Sequence, residues 1–151
     1  MQLDVTITET ISAPRAAVAH YVMDHRHDTA WIGGITESEL LGDPPLRTGS
    51  DVRRVASFMG RRIEYVNRVE TLEPGHRLHM RSIRAPFPMQ VTYAFGDEGD
   101  STVASVRVQG DPGSMYRLAG PLLSRQVRRS VAADLRVLKA IMEGRSVAPD
   151  R

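Results

Sequence analysis

From Ile35 to about residue 110 the chain is broken at short intervals by glycine or proline, and beyond that its hydrophobic period changes. Candidate strands are Ile35–Leu41, Asp51–Phe58, Arg62–Leu72, Arg77–Ile83, Met89–Phe95 and Thr102–Val108. They are separated by Gly42-Asp43-Pro44-Pro45, Met59-Gly60, Glu73-Pro74-Gly75, Pro86 to Pro88, and Gly96 to Asp100, all with the residues that turns require. Connections this short favour an antiparallel meander, because parallel strands need crossovers of about a dozen residues or more. From Ser114 to about Glu143 the apolar residues recur at three- and four-residue steps: Leu118, Leu122, Val127, Val131, Leu135, Leu138 and Met142. A meander must bury one face, and this helix is the only element long enough to cover it.

The N-terminal stretch supplies one more strand and little else. Leu3, Val5, Ile7 and Ile11 alternate with Asp4, Thr6, Thr8 and Thr10, the period of a strand with one buried face. Ser12-Ala13-Pro14 reads as a helix start, and Val18, Tyr21 and Val22 form a short apolar stripe behind it. That helix stops in the polar run Asp24–Asp28, and Thr29–Ile32 makes one more helical turn before Gly33-Gly34. In the long helix, Gly120-Pro121 predicts a kink and Gly144 a C-terminal cap. The expected organisation is a single α+β domain over residues 1–144, with 145–151 a frayed tail.

Composition narrows the function classes. Cysteine is absent, which excludes disulfides, thiol nucleophiles and thiolate metal sites. The formal net charge is +2, and Lys139 is the single lysine, so a sequence pI near 9.4 reflects arginine and predicts no nucleic-acid partner. No apolar run approaches the roughly 18 residues that span a bilayer, so no membrane insertion is expected. The start Met1-Gln2-Leu3-Asp4 lacks a secretory pattern, and a cytoplasmic monomer or homodimer is the default expectation. No phosphate-binding glycine loop or dinucleotide fingerprint is present, and no cofactor is expected.

Several local signatures occur together: Ile11-Ser12-Ala13-Pro14, Asp24 followed by Trp31, Gly49-Ser50 opening a strand, and Gly60-Arg61-Arg62. Val69 with Glu73-Pro74-Gly75-His76-Arg77-Leu78, and the helix end Leu135-Arg136-Val137-Leu138-Lys139, complete the set. In these the chain resembles the polyketide cyclase/dehydrase and lipid-transport group of the START/Bet v 1-like (SRPBCC) superfamily. The resemblance implies the helix-grip fold: a seven-stranded curved antiparallel sheet wrapped around a long C-terminal helix, with two short helices after the first strand. It also implies an apolar or amphipathic small molecule in the cavity and, in some relatives, cyclisation or dehydration of polyketide chains.

Strand parity puts Ile63, Tyr65, Asn67 and Val69 on the inner face, with Leu78, Met80 and Ser82, and with Met89, Val91, Tyr93 and Phe95. Most of these are ordinary core. Tyr65, Asn67, Ser82 and Tyr93 are polar-tipped on a face that should be dry, so each needs a partner, a water or a ligand. The candidate ligand-binding set is Trp31, Phe58, Tyr65, Asn67, Met80, Ser82, Met89, Tyr93, Leu118 and Leu122. A two-residue turn at Met59-Gly60 would bring Arg54, Ala56 and Phe58 inward; a three-residue turn would bring Arg53, Val55 and Ser57 instead. An inward Arg54 would suit a carboxylate or enolate, whereas the simpler reading leaves it in water at the sheet edge.

If the chain is an enzyme, Tyr65 or Tyr93 is the candidate proton donor and Arg54 the candidate enolate stabiliser. No histidine or carboxylate falls on the inner strand face, and Asp134 on the long helix is the nearest acid. His20, His25 and His27 with Asp24 and Asp28 match no standard zinc spacing, so they read as a solvated loop and no metal is expected. His76 and His79 fall on the outer parity. Arg125, Arg128, Arg129 and Arg136 read as a solvated helix face.

Overall fold

The computed structural model describes residues 3–113 and 120–144. β1 (Leu3–Ile11) leads into α1 (Arg15–Val22), a 3-10 turn at His25–His27 and the short α2 (Asp28–Trp31). The meander follows as β2 (Ile35–Leu41), β3 (Asp51–Phe58), β4 (Arg61–Glu73), β5 (Arg77–Arg84), β6 (Met89–Glu98) and β7 (Ser101–Gly110). α3 (Gly120–Met142) comes last and runs about 35 Å at 1.5 Å per residue. The expected kink at Gly120-Pro121 falls at the edge of the described residues, and the expected tail lies outside them. No helix among the described residues is long and apolar enough to cross a membrane.

The strands form one antiparallel sheet in the order β1-β7-β6-β5-β4-β3-β2. β1 and β2 are consecutive strands yet occupy opposite edges. The segment between them must therefore cross the sheet, and it carries α1 against β6 and β7 and α2 against β2. This makes the two short helices a plug across part of the concave face. Arg15 pins that plug: its Nε donates to Asp97 at 3.1 Å and its Nη1 to the Gly75 carbonyl at 2.7 Å.

Turn chemistry sets the registers. Met59 and Gly60 both have positive φ, 51° and 78°, as a two-residue hairpin turn matched to strand twist requires. Phe58 consequently pairs with Arg61, and Arg54 stands opposite Tyr65. β6 and β7 extend further than the sequence implies, because their turn is only Gly99-Asp100, with Glu98 paired to Ser101. Gly96, expected in that turn, is a strand residue paired with Val103.

The core joins both layers. Val18 and Val22 of α1 pack with Val52, Val69, Leu78, Met80 and Phe95 of the sheet and with Leu135 and Leu138 of α3. α3 buries Leu123, Val127, Val131, Leu135 and Leu138, one stripe at helical spacing. Leu122, expected on that stripe, is 64% exposed. At about 100° per residue it lies half a turn away from Val131, so Leu123 takes the inward place.

Candidate functional site

The plug formed by α1 fills only half of the concave face. There Leu78 and Met80 meet Val22, Met23 and Val52 around a void of about 10 Å³, room for a single water at most. The other half stays open as a cavity of about 220 Å³. Alternate residues of β3 and β4 line it, as a two-residue period demands: Arg54, Ala56 and Phe58, then Ile63, Tyr65 and Asn67. β6 adds Met89, Val91 and Tyr93, and β7 adds Val106 and Val108. Trp31, Ile32 and Ile35 close one side, and Val131 and Asp134 of α3 form the roof.

Arg54 brings a positive charge to the sheet side of this wall. The two-residue turn directs it inward, where it is only 5% exposed, so it does not sit in water at a sheet edge. Its Nε and Nη2 both donate to Oδ2 of Asp28, at 3.0 and 2.9 Å. The Ser38 hydroxyl donates to the same oxygen at 2.7 Å. Arg54 Nη1 donates to the Tyr93 hydroxyl at 3.2 Å, and its guanidinium carbon lies 6.0 Å from the centre of that ring. Tyr93 in turn meets Trp31 edge to face, with ring centres 5.8 Å apart. The Trp31 indole Nε1 is buried and has no acceptor.

Electrostatics keeps this cluster in a defined protonation state. Burial alone would lower the Arg54 pKa, but Asp28 and the flanking tyrosines hold it well above its ordinary value. Burial pushes Tyr93 up to about 12, although the neighbouring guanidinium pulls the other way. Tyr65 is raised for the same dominant reason. At neutral pH the wall therefore presents a guanidinium and two protonated phenols, groups that donate hydrogen bonds to oxygen.

Of the residues singled out from sequence, Trp31, Arg54, Phe58, Tyr65, Asn67, Met89 and Tyr93 come together around the cavity. Met80 does not: it is 1% exposed and packed in the solid half, beside Val22, Met23, Leu46 and Val52. Ser82 also lies elsewhere, its hydroxyl accepting from the Met89 amide at 2.9 Å to brace the β5–β6 connection. The β4–β5 ladder pairs Asn67 with Ser82 and Val69 with Met80, so the strand parity carries across that stretch; local packing, not register, keeps Met80 and Ser82 out of the cavity. Leu122 faces solvent, and Leu118 lies outside the described residues.

Two of the histidines make structural contacts. His27 stacks on Tyr21 at 3.9 Å, and its Nδ1 lies 2.8 Å from the Tyr21 carbonyl oxygen. His79 is half-buried, with Nε2 2.7 Å from the Gln90 side-chain oxygen, and His76 is exposed. The stretch expected to be a solvated loop is instead the 3-10 turn and the start of α2, and it buries Asp28 to 1% exposure. Asp24, at the other end of the same polar run, pairs instead with Arg26 at the surface. The phase of Asp134 is now defined: it lines the cavity, and its Oδ1 accepts from the Gly33 amide at 2.9 Å.

A sequence model of the family described as polyketide cyclase / dehydrase and lipid transport matches residues 2–143. No curated protein sequence matches the chain. Among solved structures, a START superfamily protein from Mycobacterium smegmatis is similar with a TM-score of 0.79 at 16% identity, covering 93% of this chain and 97% of that one. The Zhui aromatase/cyclase from Streptomyces sp. R1128 gives 0.75 at 18% identity, covering 93% of each chain. Ginseng major latex-like protein 151 from Panax ginseng gives 0.71 at 9% identity, covering 92% of this chain and 96% of that one. At these identities the likeness is one of fold, and it agrees with the helix-grip arrangement of sheet and α3.

Proposed function

The chain belongs to the polyketide cyclase / dehydrase and lipid transport family, and from that premise we propose that it binds a hydrophobic or amphipathic small molecule between the sheet and α3. The observation that carries this reading is the cavity itself: a pre-formed, largely apolar space with one buried polar cluster on its wall. Solid packing would stabilise the fold better, since every void forfeits dispersion contacts. An unfilled half beside a well-packed half is therefore a feature to be explained by an occupant. The reading keeps the cytoplasmic location and the monomer or homodimer expected from sequence.

A second reading, cyclase or dehydratase on a polyketide-like carbonyl substrate, has its own support in the donors of that wall. Tyr93 and Tyr65 hold their protons at neutral pH, and the Arg54 charge lies beside them. Such groups would stabilise oxygen as it gains charge on enolisation, and Asp134 would be the carboxylate to take the α-proton.

The deciding experiment compares native and denatured masses of freshly purified protein and then extracts what is bound. A co-purifying apolar compound is the expected result. A protein that is empty and also takes up no apolar aromatic probe at high micromolar concentration would overturn the binding reading. Turnover of an extracted carbonyl compound, lost in Arg54→Met and Tyr93→Phe, would select the enzyme.

A further inference from the structure

The polar end of the cavity presents hydrogen-bond donors, and its guanidinium is already matched by a carboxylate. Asp28 neutralises Arg54 through two hydrogen bonds before any ligand enters. Tyr93 accepts from Arg54, which leaves its own O–H free to donate. Trp31 adds an indole N–H that is buried without an acceptor, an arrangement native structures rarely leave unexplained. Asp134, the other charged lining residue among the described residues, is itself an acid and offers nothing to an anion.

Resting on the reading of this cavity as a ligand site, we propose that its ligand is a neutral molecule of one or two fused rings. It carries a carbonyl or comparable acceptor oxygen at the end that meets Tyr93 and Trp31, and carboxylates are refused. A carboxylate would enter a largely apolar space where the one lining cation among the described residues is already matched by Asp28, and an uncompensated buried charge is costly. A plain hydrocarbon would offer no acceptor to the indole N–H, which has no partner, or to the phenol. A neutral acceptor avoids both penalties. Size sets the upper bound: about 220 Å³ exceeds the roughly 150 Å³ that suffices for benzene, yet falls short of the roughly 300 Å³ where drug-sized sites begin.

The test uses three probes of matched shape, substituted at the same ring position: methyl naphthyl ketone, ethylnaphthalene and naphthoate, titrated calorimetrically at neutral pH. The ketone should bind at least about tenfold tighter than either of the others, the usual consequence of one buried hydrogen bond or one unbalanced charge. Tyr93→Phe should bring ketone and hydrocarbon within about threefold of each other. Asp28→Asn should raise naphthoate relative to ketone by about tenfold, since Arg54 then lacks its counter-charge. If Asp28→Asn fails to fold, the wild-type series and Tyr93→Phe still decide the matter. Naphthoate binding as tightly as the ketone, or hydrocarbon and ketone binding equally, would overturn this inference while leaving the cavity a binding site. Binding by none of the three would defeat the cavity reading and this inference with it.

Discussion

Arg54 and Asp28 meet at 2.9 Å with their side chains 6% and 2% exposed, one from the middle of β3 and the other from the first residue of α2. Removing both charges from water is expensive, and the attraction between them compensates only when the geometry is good and the remaining lone pairs are used. Here two guanidinium N–H groups and the Ser38 hydroxyl converge on one carboxylate oxygen. That convergence is what allows an arginine to stand in the wall of an apolar cavity.

Breaking the pair should cost more than deleting it. Asp28→Ala leaves Arg54 buried without its counter-charge and is expected to lower the unfolding free energy by about 3–5 kcal/mol. The double replacement Asp28→Leu with Arg54→Met should recover much of that loss. Urea denaturation of both variants checks the pair, and a single-variant loss under about 1 kcal/mol would mean that water reaches Arg54 freely.

Alkaline stability should carry the signature of Tyr93. In the unfolded chain a tyrosine loses its proton near pH 10, whereas folded Tyr93 keeps it up to about 12. Between those values the unfolded state binds fewer protons, so stability falls as pH rises; below pH 10 the contribution is constant. The expected loss across this window is roughly 2–3 kcal/mol. Tyr93→Phe should flatten the slope above pH 10, and an unchanged slope would show that other groups set it.

Filling the two halves of the concave face should have opposite consequences. Ala56 lines the open half, so Ala56→Trp should leave the protein folded and abolish uptake of an aromatic probe. Met80 sits in the packed half, so Met80→Trp should destabilise by about 1–3 kcal/mol or more through overpacking. Melting and probe titration on the two variants separate these outcomes. Retained binding in Ala56→Trp would place the occupied space elsewhere.

Trp31 is the only tryptophan, and it stands in the cavity wall against Tyr93. Its emission should therefore be blue-shifted in the purified protein and should change when the cavity is filled. A titration with a non-absorbing apolar ligand that shows calorimetric binding but no change in emission would mean that binding occurs away from Trp31.

Much of the fold was legible in sequence because local chemistry sets it. The glycine and proline breaks bounded the strands, the Met59-Gly60 pair was a hairpin turn of known length classes, and the change to helical period marked the long helix. Alternation then put Tyr65, Asn67, Met89 and Tyr93 on one face, and they line the cavity. Inference failed where packing by a distant element or the phase of a helix decides the outcome. Met80 shares the inner face but is packed beside Val22 and Met23, Ser82 is held by the Met89 amide, and one residue of helix phase exchanged Leu122 for Leu123.

Strand alternation, turn length and amphipathic period reach only as far as a residue's own neighbours in the chain, and to that range the sequence by itself determined the elements of this protein. Which acid would meet Arg54 was decided by tertiary structure alone. Because β1 and β2 lie at opposite edges, the intervening helices must cross the sheet, and that crossing carries Asp28 to a side chain 26 residues away. The same crossing packs one half of the concave face and leaves the other half open.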